Sequence, residues 1–286
     1  MIFQMTYRSP RGDLLDLANN PDFIIRDLDG MTAADVELSI AAVGLTDGDV
    51  ITNKRTVARQ LTFELYILPG RNIEAVKRAI LNAIKPKDAG VIYYDHAGRA
   101  LSIDATVEKI ALPRFEETSV MQITFYCAGA YWLDAGTNVQ QIGLVSGLHH
   151  FPLAIDNSAT PPTIVFGYYD ELMTQSITND GDAAVGMVIE IVNADPNGGV
   201  ITNPKIERDD GAFFALDLTI EANKSVIIST TRGHKAVTYN GASVLSKVAQ
   251  GSTWLQLEPG ENTFTVTEDG GGNNMYCQFS FRRAYV

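Results

Sequence analysis

The sequence predicts a mainly β protein with one α-helix, divided into two units. Alternation of apolar and polar residues in Val57 to Leu68 and in Met121 to Cys127 reads as half-buried strands. Only Ile73 to Lys85 combines helical spacing with start and stop signals. Beyond residue 163 short strand-like runs recur between turn residues, Thr253 to Leu257 among them, with no helical period. At 286 residues the chain is long enough for two ordinary domains.

Residues 2 to 8 form a first strand candidate, ended by the turn Ser9-Pro10-Arg11-Gly12. Asp13 to Thr56 is a polar, acidic excursion with strand candidates at Phe23-Ile24-Ile25 and Val36 to Ile40, and a turn from Gly44 to Asp49. An excursion of this length inside a compact domain is commonly a contact element. Its apolar residues Phe23, Ile24, Ile25, Val36, Leu38 and Ile40 are therefore the candidate oligomer interface.

In Val57 to Leu68 the inward face is read as Val57, Leu61, Phe63, Leu65 and Ile67. Pro69-Gly70 ends that strand, Asn72 caps the helix, Glu74 and Lys85 complement its dipole, and Pro86 stops it. Ile73, Val76, Ile80 and Ile84 make one stripe, so the helix lies on a sheet. Val91 to Tyr94 and Ala100 to Leu112 form a hairpin, and the phase inversion at Lys109-Ile110 marks a bulge. Met121 to Cys127 is the closing strand, and it breaks at Ala128-Gly129-Ala130 before Tyr131-Trp132.

This first unit, residues 1–140, is expected to be a β-barrel or sandwich with a flanking helix. Residues 141–162 read as a linker, and 163–286 as an antiparallel β-sandwich of jelly-roll type.

The net charge is −12, and both halves are acidic: 18 acids against 14 bases in residues 1–140, and 16 against 8 beyond. That disfavours a sequence-reading nucleic-acid surface, which needs a basic patch for phosphate, but suits a surface that nucleic acid must pass without sticking. No run approaches the apolar length of a membrane helix, so membrane insertion is not expected. The start, MIFQMTYRSPRG, lacks the pattern of a secretory signal. Cys127 and Cys277 lie on apolar strand faces in different halves and read as buried thiols.

Catalytic signatures are missing, and no catalytic residue, metal or cofactor is expected. His149-His150 point opposite ways in an extended loop and lack an evident third ligand. Asp180-Gly181-Asp182 and Asp195-Pro196-Asn197-Gly198 have the look of calcium loops, yet no glutamate follows at the needed spacing, so they read as turns. Asp95 and Asp104 could face each other across the hairpin as an acid and base pair, although exposed hairpin carboxylates are commoner. Among the aromatics of the second unit, Tyr168-Tyr169 breaks the alternation and is the candidate glycan contact.

The ordered set of pieces resembles the distal tail proteins of long, flexible-tailed bacteriophages and prophages. In the first unit these are Asp47-Gly48, Arg59 opening RQLTFELYI, the capped helix, the hairpin and FYCAGAYW, with Ala130 where the family usually has proline. In the second they are Ile177-Thr178-Asn179-Asp180-Gly181-Asp182, Ile206 to Leu216, Val237 to Gly241 and Leu257-Glu258-Pro259-Gly260-Glu261-Asn262. The resemblance implies a tail-tube-like N-terminal domain and a galectin-like C-terminal domain. It implies a hexameric ring at the virion tail tip, assembled in the host bacterial cytoplasm. That ring would join the tail-tube protein to tip or baseplate proteins around a channel for DNA, and could contact a host surface glycan. The alternative reading is a carbohydrate-binding adhesin or glycan-binding module.

Overall fold

The computed structural model describes residues 4–42, 44, 47–96, 98–111, 119–143, 145–147, 167–169, 173–195, 198–269 and 275–286. The chain divides into two compact units: Met1–Gly136 with Ala284–Val286, and Thr137–Arg283.

The first unit comprises β1 (Gln4–Arg8), β2 (Leu14–Asp16), β3 (Phe23–Asp29), β4 (Val36–Ala42), β5 (Asp49–Thr56), β6 (Arg59–Ile67), α1 (Ile73–Ala83), β7 (Ala89–His96), β8 (Arg99–Ala111), β9 (Val120–Cys127) and β10 (Trp132–Asp134). The main sheet runs β2-β1-β7-β8-β9-β6-β3, and β10 pairs with β8 and with the final strand, Ala284–Tyr285. It is an open sheet, with β2 and β3 at its edges, and not the closed barrel that was one of the two forms expected.

Alternation decides what this sheet buries. Leu61, Phe63, Leu65 and Ile67 on β6 meet Met121, Ile123, Phe125 and Cys127 on β9, with Tyr7 packed on Phe125 at 5.3 Å between ring centroids. Each large apolar side chain sealed this way contributes about 1.5–3 kcal/mol. The α1 stripe Val76, Ile80 and Ile84 joins that core. The Asn72 side chain accepts from the Ala75 amide at 3.1 Å, as the cap predicts. The helix ends at Ala83, two residues before Lys85, so that lysine does not sit in its last turn. The predicted bulge is present, with the β8–β9 register shifting between Val107 and Lys109.

The second unit comprises β11 (Asn138–Ile142), β12 (Val145–Gly147), β13 (Gly167–Tyr169), β14 (Thr174–Asn179), β15 (Met187–Asn193), β16 (Ile201–Thr202), β17 (Lys205–Arg208), β18 (Phe213–Ala215), β19 (Thr219–Ile220), β20 (Lys224–Ser229), β21 (Ala236–Tyr239), β22 (Ala242–Ser243), β23 (Gly260–Thr267) and β24 (Met275–Phe281). One six-stranded sheet runs β11-β24-β15-β20-β21-β22, and a four-stranded sheet runs β14-β23-β17-β18. Phe264 of the smaller sheet stacks on Phe279 of the larger at 5.2 Å, so the two sheets face each other.

Two sequence expectations meet a different arrangement here. The stretch expected as a linker begins inside β11, because Gln141 and Ile142 pair with Gln278 and Cys277 of β24. Thr253 to Leu257 was expected as a strand but is irregular apart from a bridge between Leu257 and Val185.

The turns carrying the second-unit resemblance are held by buried asparagines. Asn179 donates to the carbonyls of Ala183 (3.1 Å) and Leu257 (3.0 Å) and accepts from the Gly181 amide. Asn262 accepts from the Glu258 amide and donates to the Glu258 and Gly260 carbonyls. Thus Asn179 ties the two turn motifs to each other, because a buried carbonyl without a donor is costly.

Candidate assembly interface

The acidic excursion separates into two elements with different fates. β3 belongs to the main sheet, pairing with β6 from Phe23↔Ile67 to Asp29↔Thr62. Phe23 is sealed in the unit's own core, which removes it from any surface offered to a second molecule. Ile25 is half-buried against that core, whereas Ile24 is 45% exposed.

β4 and β5 form a separate two-stranded antiparallel ribbon, here called the arm. Every β4 side chain is exposed, as are those of β5 up to Arg55. Opposed residues on antiparallel strands share a face, so Val36, Leu38, Ile40 and Ala42 lie with Thr56, Lys54, Ile51 and Asp49. The register shifts between Ser39 and Ile40, leaving Thr52 as the extra residue and bringing Ile51 opposite Ile40. One face therefore carries a stripe of Val36, Leu38, Ile40 and Ile51, while the other carries the Glu37–Arg55 ion pair with Ser39 and Asn53, and one apolar pair, Ala41 with Val50, toward the tip. Gly44 and Gly48 take positive φ near the tip, a backbone region that favours glycine.

At the root of the arm stands Arg59, only 3% exposed. It occupies the inward phase of β6, in line with Leu61 and Phe63, a face on which the sequence reading placed Val57 but not Arg59; Val57 lies before the strand begins. Its Nε and Nη2 donate to the Ala130 carbonyl at 3.2 and 3.0 Å, and Nη1 donates to the carbonyls of Gly30 (3.3 Å) and Met31 (3.2 Å). The guanidinium also sits 5.9 Å from the Trp132 ring. Burial lowers its pKa from the usual value; burial likewise pushes the neighbouring Cys127 thiol up to about 12, opposed by the guanidinium. Ala130, the position where the resembling family usually has proline, contributes its carbonyl, which proline also possesses.

The sheet face opposite α1 is polar. Gln60, Thr62 and Glu64 of β6 lie beside Tyr126, Thr124 and Gln122 of β9, with Asp104, Thr106 and Glu108 exposed on β8. The Gln60 amide donates to Glu108 at 2.9 Å.

The remaining sequence candidates are not assembled into a site. Asp95 pairs with Ala100 and Asp104 with Val91, which sets the two carboxylates four residues apart along the hairpin, about 13 Å, and not across from each other. His149 and His150 lie outside the described residues. At Asp180 the chain turns with the Gly181 amide donating to Asn179, at Asp195 the amide donates to Asn193 while Pro196 and Asn197 lie outside the described residues, and no group able to hold a metal occurs among the described residues. Tyr168 and Tyr169 lie on β13, which pairs with β12 through Ser146↔Tyr168 and Val145↔Tyr169; their side chains lie outside the described residues.

Residues 180–285 match the family model described as the siphovirus-type tail component, C-terminal domain. Among solved structures, the fold is similar to the SPP1 Dit protein, described as a paradigm of the hub adsorption apparatus in phages that infect Gram-positive bacteria. That likeness has a TM-score of 0.70 at 15% identity and covers 100% of both chains. A chain of the phage P2 baseplate in its activated conformation with calcium is also similar, with a TM-score of 0.52 at 12% identity over 99% of this chain and 98% of that one. At such identities the likeness is one of fold. No curated protein matches. The resemblance to distal tail proteins read from the sequence is borne out, as is the mainly β fold with one helix.

Proposed function

We propose that the whole chain, of which residues 180–285 match the model of the siphovirus-type tail component, C-terminal domain, is a distal tail protein that assembles into a hexameric ring at the virion tail tip, between the tail-tube protein and the tip or baseplate proteins. The role is structural, without chemistry of its own. The observation that carries this reading is the arm: a two-stranded ribbon exposed on both faces, with an apolar stripe on one of them. An isolated two-stranded ribbon is marginal in water, and a contiguous exposed apolar stripe marks a contact surface. Docking of that stripe on the next copy around a ring supplies the missing partner.

The polar sheet face suits the bore of such a ring. Gln60, Gln122, Thr124, Asp104 and Glu108 offer hydroxyls, amides and carboxylates. Of the cations at this face, Arg26 is paired with Glu64 and Lys109 stands opposite Thr124 beside Glu108, so phosphate meets no basic patch and DNA passes without sequence-specific binding. Assembly belongs to the host cytoplasm, and the second unit is a galectin-like sandwich in this reading.

The test is excision of the arm alone, replacing residues 36–56 by a short Gly-Ser turn, followed by sedimentation velocity of the full-length chain. The expected outcome is an oligomer for the unaltered chain and a folded monomer for the excised one. An oligomer of unchanged size after excision contradicts the assignment.

A further inference from the structure

We propose that Arg59 is the positioning residue of the arm, holding the ribbon root at one angle to the main sheet so that its apolar stripe meets a second copy in a fixed register; this rests on the assembly reading above. The arm departs at Val36, five residues after Met31, and returns at Thr56, three before Arg59. The Arg59 guanidinium thus lies where both arm strands join the unit. It grips the outgoing chain at Gly30 and Met31 and the turn after β9 at Ala130.

Physical chemistry explains why one pose is favoured. A buried guanidinium is costly unless its N–H groups are satisfied. Among the described residues no carboxylate forms an ion pair with it, and backbone carbonyls from two separate segments accept its hydrogen bonds. Carbonyls are fixed by the chain that carries them, so swinging the root away strips acceptors from a buried charge. Side-chain carboxylates could follow such a movement; backbone carbonyls cannot.

Three further contacts brace the same root. The Val57 amide donates to the Asp35 carbonyl at 3.0 Å, closing the base of the ribbon. Thr56 Oγ1 and Tyr131 Oη lie 3.2 Å apart, joining the returning strand to the turn that Arg59 also grips. Gly30 has φ +84°, and a Cβ there would stand 1.8 Å from the Gln60 carbonyl oxygen, so the outgoing chain passes close against β6. The root is thereby tied on both sides, with Arg59 the shared donor.

The experiment measures arm pose and assembly separately in the full-length chain. Spin labels are placed at Asn53→Cys on the arm and Gln122→Cys on the sheet, both exposed positions, and their distance distribution is read by double electron–electron resonance under dilute conditions. With Arg59 intact the distribution should be narrow. Arg59→Met, which keeps the stem and loses the donors, should broaden it at least about twofold and weaken self-association at least about tenfold, with near-ultraviolet circular dichroism unchanged. Arg59→Lys should restore part of both, because one ammonium cannot span both sets of carbonyls. Should Arg59→Met fail to fold, Tyr131→Phe removes the Thr56 contact at a half-buried position and should broaden the distribution to a smaller degree. An unbroadened distribution in these variants overturns the proposal, as does broadening with self-association unchanged. A wild-type chain that never self-associates sinks the assembly reading instead, while the distance measurement still decides whether Arg59 positions the arm.

Discussion

Shortening Ile40 tests the apolar stripe where the structure allows the effect to be sized. Ile40 is 62% exposed on the arm and makes the stripe with Val36 (57%), Leu38 (49%) and Ile51 (49%). Full burial of an isoleucine side chain is worth about 1.5–3 kcal/mol. The fraction still to be buried on docking then corresponds to about 1–2 kcal/mol, or about 5- to 30-fold in the dissociation constant of each contact between copies. Ile40→Ala should lose that amount, and Ile40→Asp more than about 100-fold, since it places an unpaired carboxylate in the contact. The fold of the separated chain should change by no more than about 1 kcal/mol in either case, because the side chain lies outside the unit's core and stands opposite Ile51 on the ribbon itself, so that strand propensity and one cross-strand pair are what is altered. Sedimentation equilibrium over a dilution series reads the association, and urea denaturation reads the fold. Ser39→Ala, on the opposite face of the ribbon, is the control and should leave association within about twofold. Equal effects from Ile40→Ala and Ser39→Ala, or none from Ile40→Asp, would refute the one-sided stripe.

Two other outcomes follow from buried polar groups. Burial, reinforced by Asp88, raises the Tyr7 hydroxyl to about 12, and burial raises Cys127 to about 12. Groups whose pKa is raised on folding hold their full stabilising effect below the unfolded values of 9.0 and 10.0 and lose it as pH climbs toward 12. The first unit should therefore weaken above pH 9, followed by the exchange of core amides in β6 and β9; constant protection up to pH 11 would contradict the burial of these groups. Asn179→Ala should cost the second unit about 2 kcal/mol or more by stranding the Ala183 and Leu257 carbonyls. Trp254 fluorescence in urea reads this, and a loss below about 0.5 kcal/mol would remove Asn179 from the role of tying the two turns together.

The sequence discloses those parts of the fold that local chemistry determines. β6 and β9 follow from alternation, α1 from Asn72 and Pro86, and the β8 bulge from the phase inversion at Lys109-Ile110. What it conceals is set by contacts between distant residues. Phe23 and Val36 look alike in sequence, yet only Phe23 has β6 to pair with, so one is core and the other arm. Arg59 was visible as the opening of a strand, and its place in the inward phase with Leu61 and Phe63 was the signal that it turns inside. That signal is easily overridden by the rarity of buried charge. The return of Ala284–Tyr285 to β10 rests on two residues, too few for any periodicity to show. In the second unit the turn motifs are recognisable, but the bond from Asn179 to Leu257 that unites them spans 78 residues.

Assembly itself is tested most directly by native mass spectrometry of the purified full-length chain, paired with negative-stain images of the same sample. The account predicts a species of six times the 31.1 kDa chain mass, and class averages showing a six-fold ring with an open centre. A chain that stays at 31.1 kDa at every concentration, or an assembly without a central opening, would contradict it.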